Sequence, residues 1–117
     1  MPTLRDLMET LHARPDVASA VVLGRDGLLI DAAGLSAADA EHVAAVAPGI
    51  AQGADAMGAA TGDGPLGTAV LELGRGLAVV SALSSDVLLV VRLAPDAAPG
   101  PLVRELRRHR AALAALV

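Results

Sequence analysis

The sequence predicts an α+β domain arranged as a three-layer sandwich, a five-stranded antiparallel sheet between helices. Three observations predict it. Amphipathic segments lie near both ends of the chain, and a long alanine-rich helical segment divides five strand-like runs into two and three. The connections inside each group of strands are short, which makes neighbouring strands antiparallel. The run Val87-Leu88-Leu89-Val90-Val91 is apolar without alternation, so it reads as a central strand covered on both faces.

Each element has a local reason. Leu4, Leu7, Met8 and Leu11 recur at helical spacing, Thr3 and Asp6 form a capping pair ahead of them, and Arg14-Pro15 ends the helix because a residue before proline avoids the helical region. Val17–Leu23 and Leu28–Asp31 are two apolar runs around Gly24-Arg25-Asp26-Gly27, a hairpin whose glycines supply positive φ. Ser36 caps the long helix, with Asp39 and Glu41 near its positive end. That helix runs to about Ala60, and Val43, Val46, Ala47, Ile50, Ala54 and Met57 line one face. Pro48 lies inside it, so the segment is either one bent helix or two short ones. Thr68–Leu73, Leu77–Ala82 and Val87–Leu93 read as three strands joined by Gly74-Arg75-Gly76 and Ser84-Ser85-Asp86. Pro101 suits the first position of a closing helix whose inner stripe is Leu102, Leu106, His109, Leu113 and Leu116.

Composition narrows the function. The 117 residues leave room for one core, so a single domain over residues 1–117 is expected. Its apolar part is 26 Ala, 19 Leu, 13 Val, 3 Met and 2 Ile, with no aromatic residue and no cysteine. All nine basic residues are arginine and the net charge is −4. A nucleic-acid partner is disfavoured, because the chain is acidic and has no aromatic ring for base stacking. Without cysteine there are no disulfides, thiolate metal sites or cysteine nucleophiles. Met1-Pro2-Thr3-Leu4-Arg5-Asp6 has no apolar run of a signal peptide, and the longest uncharged stretch, His42–Ala54, is thirteen residues and broken by Pro48-Gly49. A cytoplasmic protein with no membrane partner is expected.

The motifs with chemical potential are weak. Gly62-Asp63-Gly64-Pro65-Leu66-Gly67 fits G-x-G-x-x-G, but a helix precedes it and a strand follows, the reverse of a dinucleotide site, and Pro65 removes an amide. Gly62 and Gly67 have phosphate-loop spacing, yet the chain has no lysine. His12, His42 and His109 fall on three different helices and would have to converge to bind a metal, with His109 expected to be partly buried. Ser81, Ser84, Ser85 and Asp86 supply a triad in composition only, and Ser84-Ser85-Asp86 reads as a polar turn. No catalytic residue, cofactor, metal or small-molecule substrate is therefore expected. Arg104, Arg107, Arg108 and Arg110 lie largely off the inner stripe of the last helix, as a solvated face or a basic stripe for an acidic partner. Ala45, Gly49 and Gly53 repeat at four-residue spacing and let something approach the long helix closely.

Taken together, Val17–Leu23 with Gly24-Arg25-Asp26-Gly27-Leu28, the alanine-rich helix from Ser36, and Pro101–Leu116 with its Leu102-Val103-Arg104-Glu105-Leu106-Arg107 stretch resemble the Roadblock family of dynein light chains and bacterial GTPase regulators. The resemblance spans about Leu4 to the C-terminus. It implies a profilin-like sheet with the long helix on one face and two terminal helices on the other. It implies a homodimer in which third strands pair at the sheet edge and long helices pack together, through Ala45, Gly49, Gly53, Met57, Thr68, Val70 and Glu72. It implies a non-enzymatic partner of a small Ras-like GTPase, acting on its nucleotide cycle, or else a passive dimeric scaffold of a motor or signalling complex. Arg25 and Arg75, on glycine-flanked turns, are the loop arginines poised to contact that partner. A conformational effect on its switch loops is favoured over an arginine finger.

Overall fold

The computed structural model describes residues 2–117. Thr3 and Asp6 exchange hydrogen bonds as a capping box, at 3.1 Å and 2.9 Å, and start α1 (Leu4–Ala13). β1 (Val17–Gly24) and β2 (Leu29–Ala33) form the first hairpin. Leu28 stays in the turn, its amide donating to Asp26 Oδ1 at 3.1 Å. Of the turn glycines only Gly27 has a positive φ, +89°; Gly24 closes the turn with an ordinary backbone. The register shifts at Val22/Leu23, a bulge that moves the strand pairing on by a residue.

The long helix α2 is a single element, Ala37–Thr61, with Pro48 inside it. Buried alanines on both sides of the proline, Ala44 and Ala47 before it and Ala51 after it, hold both halves on the sheet. Ser36 Oγ accepts from the Asp39 amide at 3.1 Å at its start, and Gly62, at φ +74°, closes its end in the left-handed conformation. β3 (Thr68–Leu73), β4 (Gly76–Ala82) and β5 (Val87–Leu93) follow. The strand order is β2-β1-β5-β4-β3 with every neighbour antiparallel, so β5 is central and β2 and β3 are the edges.

The closing segment is not one helix. It breaks at His109 into α3 (Gly100–Arg108) and α4 (Arg110–Ala114). His109 is exposed, not part of the inner stripe, and its Nε2 lies 3.2 Å from Glu105 Oε2. The break leaves the imidazole outside while Leu102, Leu106 and Leu113 still reach the core.

Two apolar layers sandwich the sheet, the expected profilin-like arrangement. Met8, Leu11, Leu102, Leu106 and Leu113 pack with Ala20, Val22, Val79, Leu89 and Val91 on the face of α1, α3 and α4. Ala40, Ala44, Ala47 and Ala51 of α2 pack with Val21, Leu23 and Leu88 on the other face. Alternate residues of β5 enter opposite layers, which explains its unbroken apolar run.

Candidate interaction surface

α2 has two apolar faces, and the one expected from the spacing of its larger residues is not the one that meets the sheet. The buried residues are Ala40, Ala44, Ala47, Ala51 and Gly58. Of the six residues expected on one face, only Ala47 is buried; Val46, Ile50 and Met57 are 53%, 38% and 67% exposed. Methyl groups let the helix lie close to the sheet, and the larger side chains project beside the contact. At about 100° per residue, Val46, Ile50, Gly53 and Met57 form one band, with Gly49 at its border and Ala45 further round. Ala45, Gly49 and Gly53 are exposed, and a Cβ at Gly49 or Gly53 would meet no atom within 4 Å.

α2 packs mainly over β1 and β2, touches β5 and β4 less, and leaves the β3 end of the same sheet face open. Between them runs a groove of about 450 Å³, lined by Val43, Val46 and Ile50 of α2 and by Leu71, Leu73, Ala78 and Val80 of the sheet. Ser19, Asp39, His42 and Arg92 add polar groups to its lining. Leu73 is 55% exposed although it points to this face. The sequence reading missed Leu71, Leu73 and Arg92. The available signal was the period of two along β3 and β5, which places them on the α2 side once Val79 and Val91 are assigned to the opposite layer.

β3 lies at the sheet edge, its outer side unpaired among the described residues. Thr68, Val70 and Glu72, expected at the seam, sit on this strand, but their side chains point away from α2: Thr68 and Val70 are opposite Ser81 and Val79 in the register. Val70 and Glu72 are exposed. Thr68 is half-buried, and its hydroxyl accepts from Arg110 Nη2 at 3.0 Å and lies 3.3 Å from Ser81 Oγ. The named helix and strand residues therefore face opposite sides of the sheet.

Arg25 is not a free loop arginine. Its Nη1 donates to Asp55 Oδ2 at 2.7 Å, and its backbone amide donates to the Asp86 carbonyl at 2.8 Å. Its Nε is buried with no hydrogen-bond partner. Asp55 Oδ1 accepts from the Leu66 amide at 2.7 Å. That amide bond, and then the guanidinium of Arg25, hold the Asp55 carboxyl below the usual aspartate range. Arg75 is exposed in the two-residue β3–β4 turn.

The glycine-rich loop folds back on α2. The amides of Asp63 and Gly64 donate to the Gly58 carbonyl at 2.8 Å and 3.2 Å, and a Cβ at Gly58 would collide with the Gly64 carbonyl. Its amides thus serve the end of the helix. In the Ser84–Asp86 turn, the Asp86 amide donates to Ser84 Oγ at 3.2 Å. Among the described residues no three His, Asp or Glu side chains cluster to hold a metal, and no helix is long and apolar enough to cross a membrane.

The chain is thus a profilin-like sandwich with an open sheet edge and a long helix whose outer band is apolar and exposed. A family model for the Roadblock/LC7 domain matches residues 3–93, and the chain belongs to that family. It is similar to the Roadblock/LC7 domain from Streptomyces avermitilis, with a TM-score of 0.83, 32% identity, and 96% of this chain and 95% of that one covered. The gliding protein MglB from Thermus thermophilus shares the fold at a TM-score of 0.80 and 20% identity, covering 96% of this chain and 86% of that one. Myxococcus xanthus MglB does so at 0.77 and 18%, covering 92% and 88%. Comparison with curated proteins finds no match.

Proposed function

We infer that this chain is a homodimeric, non-enzymatic regulator or adaptor of a small Ras-like GTPase. The observation that carries the reading is the apolar surface running from the exposed band of α2 through the groove to the open edge of β3. A solvent-open groove flanked by Val46, Ile50, Leu71 and Leu73 leaves apolar area exposed, and covering it is favourable by ~25 cal/mol per Å². A second copy covers it with the same elements: edge strands pair about a two-fold axis, and the α2 bands meet over the extended sheet. Family membership supports the GTPase as partner. The protein supplies no nucleotide site of its own and acts by binding one conformation of the partner's switch loops better than the other.

The ion pair with Asp55 supports this conformational route over an arginine finger, because Arg25 would have to leave Asp55 to enter a partner's site. GTP hydrolysis by a small Ras-like GTPase of the same organism, measured with and without this protein, tests the reading. Stimulation is expected, and Arg25→Ala and Arg75→Ala are expected to keep it within a few-fold. A loss of ~10³-fold from either substitution would identify a finger and refute the conformational mechanism. Binding without stimulation would assign the scaffold role, and no binding would overturn the GTPase reading.

A further inference from the structure

We propose that the outer face of α3 is a docking site for a short acidic segment of a partner protein, held by Arg104, Arg107 and Arg108. Residues 100–110 carry four arginines against one glutamate, a local +3 in a chain of net charge −4, so the remaining residues carry −7. Leu102 and Leu106 are buried and fix the helix, and the three arginines, at i, i+3 and i+4, are exposed together on its other side. The fourth, Arg110, is committed to Thr68.

The local acid does not neutralise this face. Glu105 lies 3.5 Å from Arg108 and 3.2 Å from His109, while Arg104 and Arg107 have no ion pair among the described residues. The helix dipole accounts for arginine in the last turn. It does not account for Arg104, which lies in the middle of the helix. Guanidinium groups at one-turn spacing match carboxylates along a peptide, each able to accept two parallel hydrogen bonds.

Size of the anion decides between partner classes. Charges farther apart than a Debye length, ~8 Å at physiological salt, are largely screened, so a short segment meets the local excess of arginine. A duplex or an anionic bilayer extends past the patch and meets the acidic remainder of the surface. A bilayer also gains no apolar anchor here, because the leucines of α3 are spent in the core. Binding of an acidic segment on this face requires neither the dimer nor a GTPase.

Anisotropy of a fluorescein-labelled octaglutamate, titrated with the full chain at low salt and neutral pH, tests the site. Saturable binding that weakens as salt is added is expected. The combined Arg104→Gln, Arg107→Gln and Arg108→Gln variant should bind about tenfold more weakly, the sum of three exposed ion pairs. Arg104→Gln and Arg107→Gln alone should each weaken it by a smaller step, and Arg75→Gln, in the β3–β4 turn and outside α3, should leave it unchanged. Absence of peptide binding, or equal binding by the triple variant, overturns the site. Tighter binding to duplex DNA or phosphatidylserine vesicles than to the peptide overturns the choice of partner.

Discussion

Asp55 ties three segments together with one carboxylate: α2, which carries it, the β1–β2 turn through Arg25, and the loop before β3 through the Leu66 amide. Both bonds favour the ionised form, so its proton affinity is lower in the folded chain than in the unfolded one. The unfolded chain therefore takes up the proton first as pH falls. This contribution is fully present above the unfolded pKa and is lost as pH drops through the folded one. Asp16, held low by Arg14 through hydrogen bonds of 2.9 Å and 2.8 Å, acts with the same sign. Thermal midpoints measured from about pH 7 to about pH 2 should show Asp55→Asn well below wild type at neutral pH, with the gap closing in acid. A gap independent of pH would mean that Asp55 acts through shape and not charge. Nothing in the sequence announced the pair with Arg25, because its members are separated by a hairpin strand and most of α2. Arg25 read as a free turn arginine since spacing along the chain cannot reveal a long-range ion pair.

At the scale of elements, strand and helix positions were legible because they follow from local chemistry. The Thr3–Asp6 box, the Ser36 cap and the apolar run of β5 each carry their own signal. What a helix turns toward the core was less legible. Alanine and valine score alike as apolar, and only the close approach of α2 to the sheet selects the alanine face. The break at His109 was hidden for a similar reason: its position fits the stripe of leucines, while its polarity favours solvent and Glu105. The small residues of α2 allow a discriminating test. With no atom near a Cβ at Gly49 or Gly53, leucine there costs the monomer no packing and gains ~1 kcal/mol of helix propensity. At a helix–helix seam the same leucine overpacks by ~1–3 kcal/mol. Gly49→Leu and Gly53→Leu should therefore fold at least as stably as wild type in dilute solution, yet dissociate at about five- to a hundredfold higher concentration by analytical ultracentrifugation. Dimers as tight as wild type would remove these glycines from the seam.

Across the whole molecule the two proposed surfaces lie over opposite faces of the sheet. One sheet face, with the α2 band, the groove and the β3 edge, is suited to self-association; the outer side of α3 is arginine-rich and apart from it. The opposite edge, β2, has its own guard: Arg5 of α1 reaches across to Asp31 at 2.9 Å and to the Ala32 carbonyl at 3.5 Å. Charge at one edge and none opposing pairing along Thr68–Leu71 at the other favours a closed pair over an open chain of sheets. We propose the groove and the β3 edge as the seam of a dimer. Sedimentation equilibrium at micromolar concentration, run side by side on wild type and Ile50→Glu, tests it most directly. A wild-type mass twice the 11.6 kDa of the chain and a folded, monomeric variant are expected, since the substitution sets a charge into the groove. A monomeric wild type, or an Ile50→Glu protein that dimerises as tightly as its parent, would contradict it.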